Sequence, residues 1–362
     1  MKLGFMAALC TSLLSLQQVY FHAWGGSDEV NQYVRWAQQQ LAPQDIELVH
    51  VKVADIGETV ALLLRENAQQ QTTSSVDLLW LNGENFHALK AAGALRGELS
   101  LAVPNSALLD PELGWQTDFG IATDDFELPW GVGQFHLLLR GQKLAAHLTP
   151  AELLAYAKSK PGRLSYPKPP EFHGTTFLKL LLLELNNHHP ELYQAPQPDQ
   201  QELLLAPLWD YLDQLHPLLW KGGREFPVSA AQQQQFLANG ILDNAVSFNP
   251  GELISAQRAM RLPPNVGAIL IGERAITNSH YLAIPNHAAN AHAALKVIDF
   301  MLSEKAQQRK QAPDGWGDSA VIRFAQTDIV GSNAVPRFPA QPEPHVGWVK
   351  LIEQQWLTRY QQ

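Results

Sequence analysis

Residues 19–30, Val19-Tyr20-Phe21-His22-Ala23-Trp24-Gly25-Gly26-Ser27-Asp28-Glu29-Val30, decide how this chain is built. The apolar run Val19–Ala23 reads as a strand and breaks at Trp24-Gly25-Gly26. A helix starts at Ser27 with two acids in its first turn, where they meet the positive end of the helix dipole. The same succession repeats twice. "IELVHVKV" (46–53) alternates like a strand and "ETVALLLRENAQQ" (58–70) returns to helix. "VDLLWL" (76–81) is a continuous apolar strand, followed by a turn at Asn82-Gly83 and a helix over 84–92. Three strand–helix units in sequence predict a parallel sheet with helices on its faces. In an open parallel sheet the loops after the strands' carboxyl ends form the ligand crevice. Trp24-Gly25-Gly26 and Asn82–Phe86 are two such loops.

The middle of the chain changes character. "FELPWGVGQFHLLLR" (126–140) turns a Pro-Trp-Gly corner into a strand, and Thr149-Pro150 open a helix as cap and first residue. A proline-rich loop precedes a helix starting near Gly174-Thr175. Helices rich in Leu, Trp and Gln fill 203–239, and 241–253 reads strand, loop, helix. A strand ending at Pro285 leads into a long amphipathic helix, and the tail is helical. No internal repeat is visible. The glutamine runs at 38–40, 69–71 and 232–235 read as solvated surface.

With 362 residues the chain is long enough for two domains, and its 46% hydrophobic and 17% charged residues are those of a globular protein. Its 26 basic and 35 acidic residues give a net charge of −9, with the basic ones scattered. A nucleic-acid groove needs clustered positive charge, which is absent. Residues 1–17 read as an export signal: Lys2, an apolar stretch too short for a membrane span, then Gln17. Its basic region is a single lysine and no A-x-A site is evident, and the alternative is a buried N-terminal helix or strand. Cys10, the only cysteine, lies inside this stretch, and Leu9 before it does not suit a lipidation site. Nucleotide-binding glycine motifs, G-x-S-x-G and H-E-x-x-H are all missing, and the thirteen histidines lack metal-ligand spacing. No catalytic group, cofactor or metal site is expected.

The blocks "VYFHAWGG", "SVDLLWLNGENF", "LPWGVGQF", "SYPKPPEFHGTTFL", "APLWDYLDQLHPLLW", "SFNPGE" and "PHVGWVKLIEQQWLTRY" together resemble the YnjB-type solute-binding proteins of ABC importers, over nearly the whole chain. The resemblance implies an α/β, two-lobed type II periplasmic-binding-protein fold, preceded by a fuller signal segment than residues 1–17 supply, so that the start reads as truncated or mis-set. Each lobe is then a mixed sheet flanked by helices, with the ligand cleft between lobes that close by hinge motion. On this reading lobe one is 19–130 plus 286–362 and lobe two is 131–285. Crossings are expected near Pro129-Trp130-Gly131 and Pro285. The expected partners are a small solute and an inner-membrane permease with its ATPase, reached by a monomeric periplasmic protein. The solute suggested is thiamine or a related cationic heterocycle, with a carbohydrate or polyamine as alternatives and an enzyme on the same scaffold as the rival class.

The candidate contacts follow from the loops. Gly25 and Gly26 let a ligand approach the backbone and Ser27 opens the helix, while Trp24 supplies a flat ring. Asn82 and Asn85 supply amides, and Glu84 pairs with a positive group. The other lobe offers Tyr166, Phe172, Thr175 and Asn249. Each also has a purely structural use: Trp24 as a core aromatic, Asn82-Gly83 as a turn, Glu84 as a helix-terminal charge, Tyr166 and Phe172 as packing, and Asn249 as a cap. Trp130 and Trp316 are expected at the hinge or in the core.

Overall fold

A computed structural model describes residues 16–26, 28–53, 55–81, 83–141, 145–312, 315–324 and 337–361. Residues 1–15, most of the expected export segment, lie outside the described residues. Two sheets organise the rest. The first contains β1 (Gln17–Trp24), β2 (Ile46–Val53), β3 (Leu78–Leu81), β6 (Glu127–Gln134), β11 (Ala275–Ala283) and β12 (Ala340–Gln341), in the order β12-β11-β3-β1-β2 with β6 against β11. β1 runs parallel to both β2 and β3, as the repeated strand–helix pattern requires. A small hairpin, β4 (Thr117–Asp118) and β5 (Ile121–Ala122), lies outside both sheets. The second sheet holds β7 (His136–Arg140), β8 (His147–Leu148), β9 (Asn244–Ser247) and β10 (Val266–Ile271), ordered β8-β10-β7-β9.

The chain passes between the sheets three times. β6 ends at Gln134 and β7 begins at His136, β10 ends at Ile271 and β11 begins at Ala275, and β12 leads into the helix Val346–Tyr360. These positions correct the expected crossings. Pro129, Trp130 and Gly131 lie inside β6, where Pro129 and Gly131 pair with Tyr281 and His280 of β11 and Trp130 is the extra residue between them. Proline has no N–H for a ladder, and the register slips between His280 and Tyr281 where Pro129 sits. Pro285 lies in the first lobe, bridged to Leu95. Strand β11, expected in the second lobe, belongs to the first sheet. The terminal helix, expected in the first lobe, buries Trp348, Ile352 and Trp356 in the second lobe's core.

Each sheet is covered on both faces. On the first, Phe21, Val34, Leu41, Val297 and Ile298 pack one side and Val60, Leu63, Leu79, Phe86 and Leu89 the other. The second lobe is dominated by the helix Phe172–Leu185, whose residues from Gly174 to Leu183 are all buried. Its near-continuous leucine run is therefore what a helix enclosed on every side requires. Each buried leucine contributes about 1.5–3 kcal/mol. The helix Pro150–Ser159 carries the expected cap: the Thr149 hydroxyl accepts from Glu152 N, and the Glu152 carboxylate accepts from Thr149 N. No described helix is long and apolar enough to cross a membrane.

Candidate functional site

The lips of the crevice are built where strands end. Trp24 closes β1 and remains 45% exposed. A β-carbon on Gly25 would lie 2.7 Å from the Lys52 side chain, and one on Gly26 would lie 2.5 Å from the Trp24 indole. The two glycines thus let the loop fold back under the ring, which no larger residue would permit. Asn31 donates to the Gly25 carbonyl at 3.0 Å and fixes the turn. Trp24 meets Trp80 edge-on at 6.5 Å. Trp80 in turn contacts His280 at 5.0 Å, Trp130 at 5.1 Å and Trp316 at 5.3 Å. Four strands and a loop therefore contribute to one aromatic wall, in which Trp24 is exposed and Trp80 half-buried, while Trp130 and Trp316 are buried in the first lobe's core, one of the two places expected for them.

Beneath that wall, Lys310 is fully buried. Its ammonium donates to the carbonyls of Trp130 (2.7 Å) and Ser319 (2.6 Å) and pairs with Asp318 at 2.8 Å. Burial lowers the Lys310 pKa, and the Asp318 charge opposes that shift. The network pins the segment carrying Trp316 to β6.

A second cluster spans the lobes. From the long helix of lobe two, Lys179 reaches Glu343 on the third crossing, 2.5 Å apart and both buried. The ammonium lies 5.5 Å from the Phe119 ring of lobe one and 5.7 Å from the Phe172 ring of lobe two. Phe119 occupies the tip of the β4–β5 hairpin at φ +47°, a left-handed conformation that is strained for a bulky residue. Its ring packs against Gly83, whose N–H donates to Asp118. Burial pushes the Asp118 carboxyl up to about 7; the Gly83 N–H opposes this and the Glu343 charge adds to it. Burial also holds Glu127 well above the carboxylate range, with Asp118 adding to the shift. A cavity of about 240 Å³ opens beside these groups, lined by Asp118, Phe119, Tyr281, Gln341 and Glu343 among others.

The lobes touch again at the loop after β9. A β-carbon on Gly251 would collide with the Gly317 carbonyl, and Phe248 packs on Gly133. The approach needs glycine on both sides, and Gly317 adopts φ +82°.

The expected contacts divide accordingly. Trp24, Gly25 and Gly26 form the wall and its support. Phe172 is 45% exposed, stacks on Phe248 at 4.9 Å and flanks Lys179. Asn249 borders Gly317, but its Oδ1 accepts from Gly251 N, the capping use. Two residues expected at the cleft are placed elsewhere. Tyr166 is fully buried on Phe177, with its hydroxyl against His216 at 2.7 Å and Trp356 at 2.8 Å. Its polar tip is satisfied inside the core. Thr175 is buried and donates to Glu353 of the terminal helix at 2.7 Å. Asn85 is half-buried on the helix Gly83–Ala91. Ser27, Asn82 and the Glu84 side chain lie outside the described residues.

Sequence reasoning missed Asp118, Phe119, Lys179, His280, Gln341 and Glu343. Lys179 carried a signal: a lone lysine inside "FLKLLLLEL" must find a buried carboxylate. The others are joined only by long-range pairing of strands.

Comparison with known proteins agrees with this architecture. The bacterial extracellular solute-binding protein family matches residues 36–320. The Escherichia coli K12 protein YnjB is 38% identical over 354 residues, covering 95% of this chain and 91% of its own. The spermidine/putrescine ABC transporter substrate-binding protein PotD of Streptococcus pneumoniae superposes with a TM-score of 0.60 at 15% identity, covering 82% of this chain and 81% of PotD. The periplasmic binding protein AfuA of Actinobacillus pleuropneumoniae, with fructose-6-phosphate bound, gives 0.64 at 12% identity, covering 96% and 99%. The two solved structures share the two-lobed fold and are named for unlike solutes, spermidine/putrescine in one and fructose-6-phosphate in the other, so the likeness fixes architecture and leaves ligand choice to side chains.

Proposed function

From the premise that this chain belongs to the bacterial extracellular solute-binding proteins, we propose that it is the substrate-binding component of an ABC-type importer. It captures a small solute between its lobes in the periplasm, after export by its N-terminal segment, and delivers it as a monomer to a membrane permease driven by an ATPase. It performs no chemistry on the solute. The carrying observation is the exposed indole of Trp24, set on its two-glycine turn at the carboxyl end of β1 and edge-on to the half-buried Trp80 of β3. Gln134–His136, 272–274 and 342–345 serve as the hinge strands, since all three crossings lie there.

Indoles bind flat rings by stacking and attract cations by about 0.5–2 kcal/mol each. A cationic heterocycle of the thiamine type therefore suits the wall. Native mass spectrometry of the protein purified gently from its periplasm tests this, followed by calorimetry with thiamine. A single co-purifying solute and saturable thiamine heat support the reading. Tight binding of a neutral sugar with no thiamine heat would replace the ligand while keeping the importer role. Turnover of any bound compound would remove the non-enzymatic reading.

A further inference from the structure

We propose that the 240 Å³ cavity beside Phe119 seats the cationic, multi-donor end of the solute, an ammonium or amidinium group. This rests on the capture reading above and adds the chemistry of one end of the ligand. The argument is a donor–acceptor census. Gln341 is buried and its amide nitrogen donates to the Arg274 carbonyl at 3.2 Å, leaving Oε1 with no partner. Glu343 is buried and pairs with Lys179 through Oε2, leaving Oε1 with no partner. Asp118, also buried, accepts from Gly83 N. The hydroxyl of Tyr281 is turned away to the carbonyls of Trp115 and Thr117. The cavity thus presents buried acceptors whose counterpart is a donor.

Charge narrows the class further. Lys179 offsets the Glu343 carboxylate, and a cation brought against Asp118 favours its ionised form, while an anion would add repulsion. Among the described residues no group of three or more His, Cys, Asp or Glu is placed to hold a metal ion. The ring of Phe119, already set over one ammonium, presents its face to the same cavity lining. Its left-handed backbone holds it at the hairpin tip, the kind of strain that persists where a ligand clamp needs it.

The test uses three probes of matched shape on the purified full chain: benzylammonium, benzyl alcohol and benzoate, titrated by calorimetry. Benzylammonium is expected to bind at least tenfold more tightly than benzyl alcohol, with benzoate weakest. In Asp118→Asn and in Glu343→Gln, each checked for a native circular-dichroism spectrum and a cooperative unfolding transition, that preference should fall several-fold. Equal affinity for ammonium and alcohol in the unmodified chain overturns the proposal without reliance on any variant. So does a preference that survives in both folded variants. A co-purified solute that is neutral or anionic also overturns it and leaves solute capture standing. If neither a passenger nor binding of amines, sugars or heterocycles is found, the capture reading itself fails.

Discussion

The two lobes solve burial differently. In the first, the sheet edge nearest the other lobe carries tryptophans, carboxylates and a strained hairpin, with Asp118 and Glu127 buried close together. In the second, the interior is an aliphatic mass in which the Phe172–Leu185 helix alone contributes Leu178 and Leu180 through Leu183 to the core. Polar groups there, such as Tyr166 with His216 and Trp356, pair among themselves. The contrast separates roles. On the proposed function, lobe two is the support that presents Phe172, Phe248 and Lys179, while lobe one carries the recognition surface and the local strain that goes with it.

The sharpest way to break that division is at the buried ion pair of Lys179 with Glu343. Lys179→Met leaves Glu343 buried without its cation, a situation that costs about 3–5 kcal/mol. Chemical denaturation should show that loss, and Lys179→Met with Glu343→Gln should recover most of it. If the single and double variants are equally unstable, the pair is not what holds Lys179 in place. A somewhat smaller loss, about 2–5 kcal/mol, is expected for Leu182→Ala from the fully buried face of lobe two. Solute affinity in the folded Leu182→Ala protein should stay within about twofold. A large affinity loss there would mean that lobe two is more than a support.

Trp24→Ala reverses the pattern. The ring is nearly half exposed, so stability should change by less than about 1 kcal/mol. Affinity for a ring-bearing solute should fall about tenfold or more, as for an aromatic anchor at a binding surface. Calorimetry beside a denaturation curve reads both at once, and unchanged affinity in the folded variant would return Trp24 to packing alone.

How far the sequence carried this picture depends on range. The parallel order of β1, β2 and β3 was legible because each strand–helix unit is local and the apolar period switches cleanly. Trp24-Gly25-Gly26 was legible for the same reason, since the glycines and the ring they support are adjacent. The antiparallel pairing of β6 with β11 joins residues about 150 positions apart, and no local period records it. That pairing decides where the chain leaves and re-enters the first sheet, so the first crossing was placed several residues early and the second, expected at Pro285, too late. Tyr166 was misplaced because a tyrosine beside a proline-rich loop looks the same whether its ring turns outward or into a leucine core. Asp118 and Glu343 are separated by more than two hundred residues, and only the completed fold brings them to one cavity.

The most delicate comparison is with pH, because buried carboxylates and buried imidazoles act in opposite directions. Asp118 in lobe one keeps its proton to about 7 when folded, against 3.8 for its ordinary value. Between those values the folded chain holds a proton that the unfolded chain has lost, so this group makes stability fall as pH rises. Glu127 acts in the same sense. His136 and His216, on the second lobe's side, are lowered to about 4 by burial. From about 4 to 6.5 the unfolded chain binds protons that these rings refuse, so stability rises with pH; the lowered His22, His50 and His280 of lobe one add to that rise. Asp118→Asn removes one falling contribution while keeping an acceptor for Gly83 N. Urea midpoints at pH 5 and pH 7 should therefore shift upward between the two values by more in Asp118→Asn than in the unmodified chain, with the gain confined to the higher pH. Identical shifts would mean that Asp118 does not carry a proton in the folded cleft, and the acidic character assigned to lobe one would then rest on Glu127 and Glu343 alone.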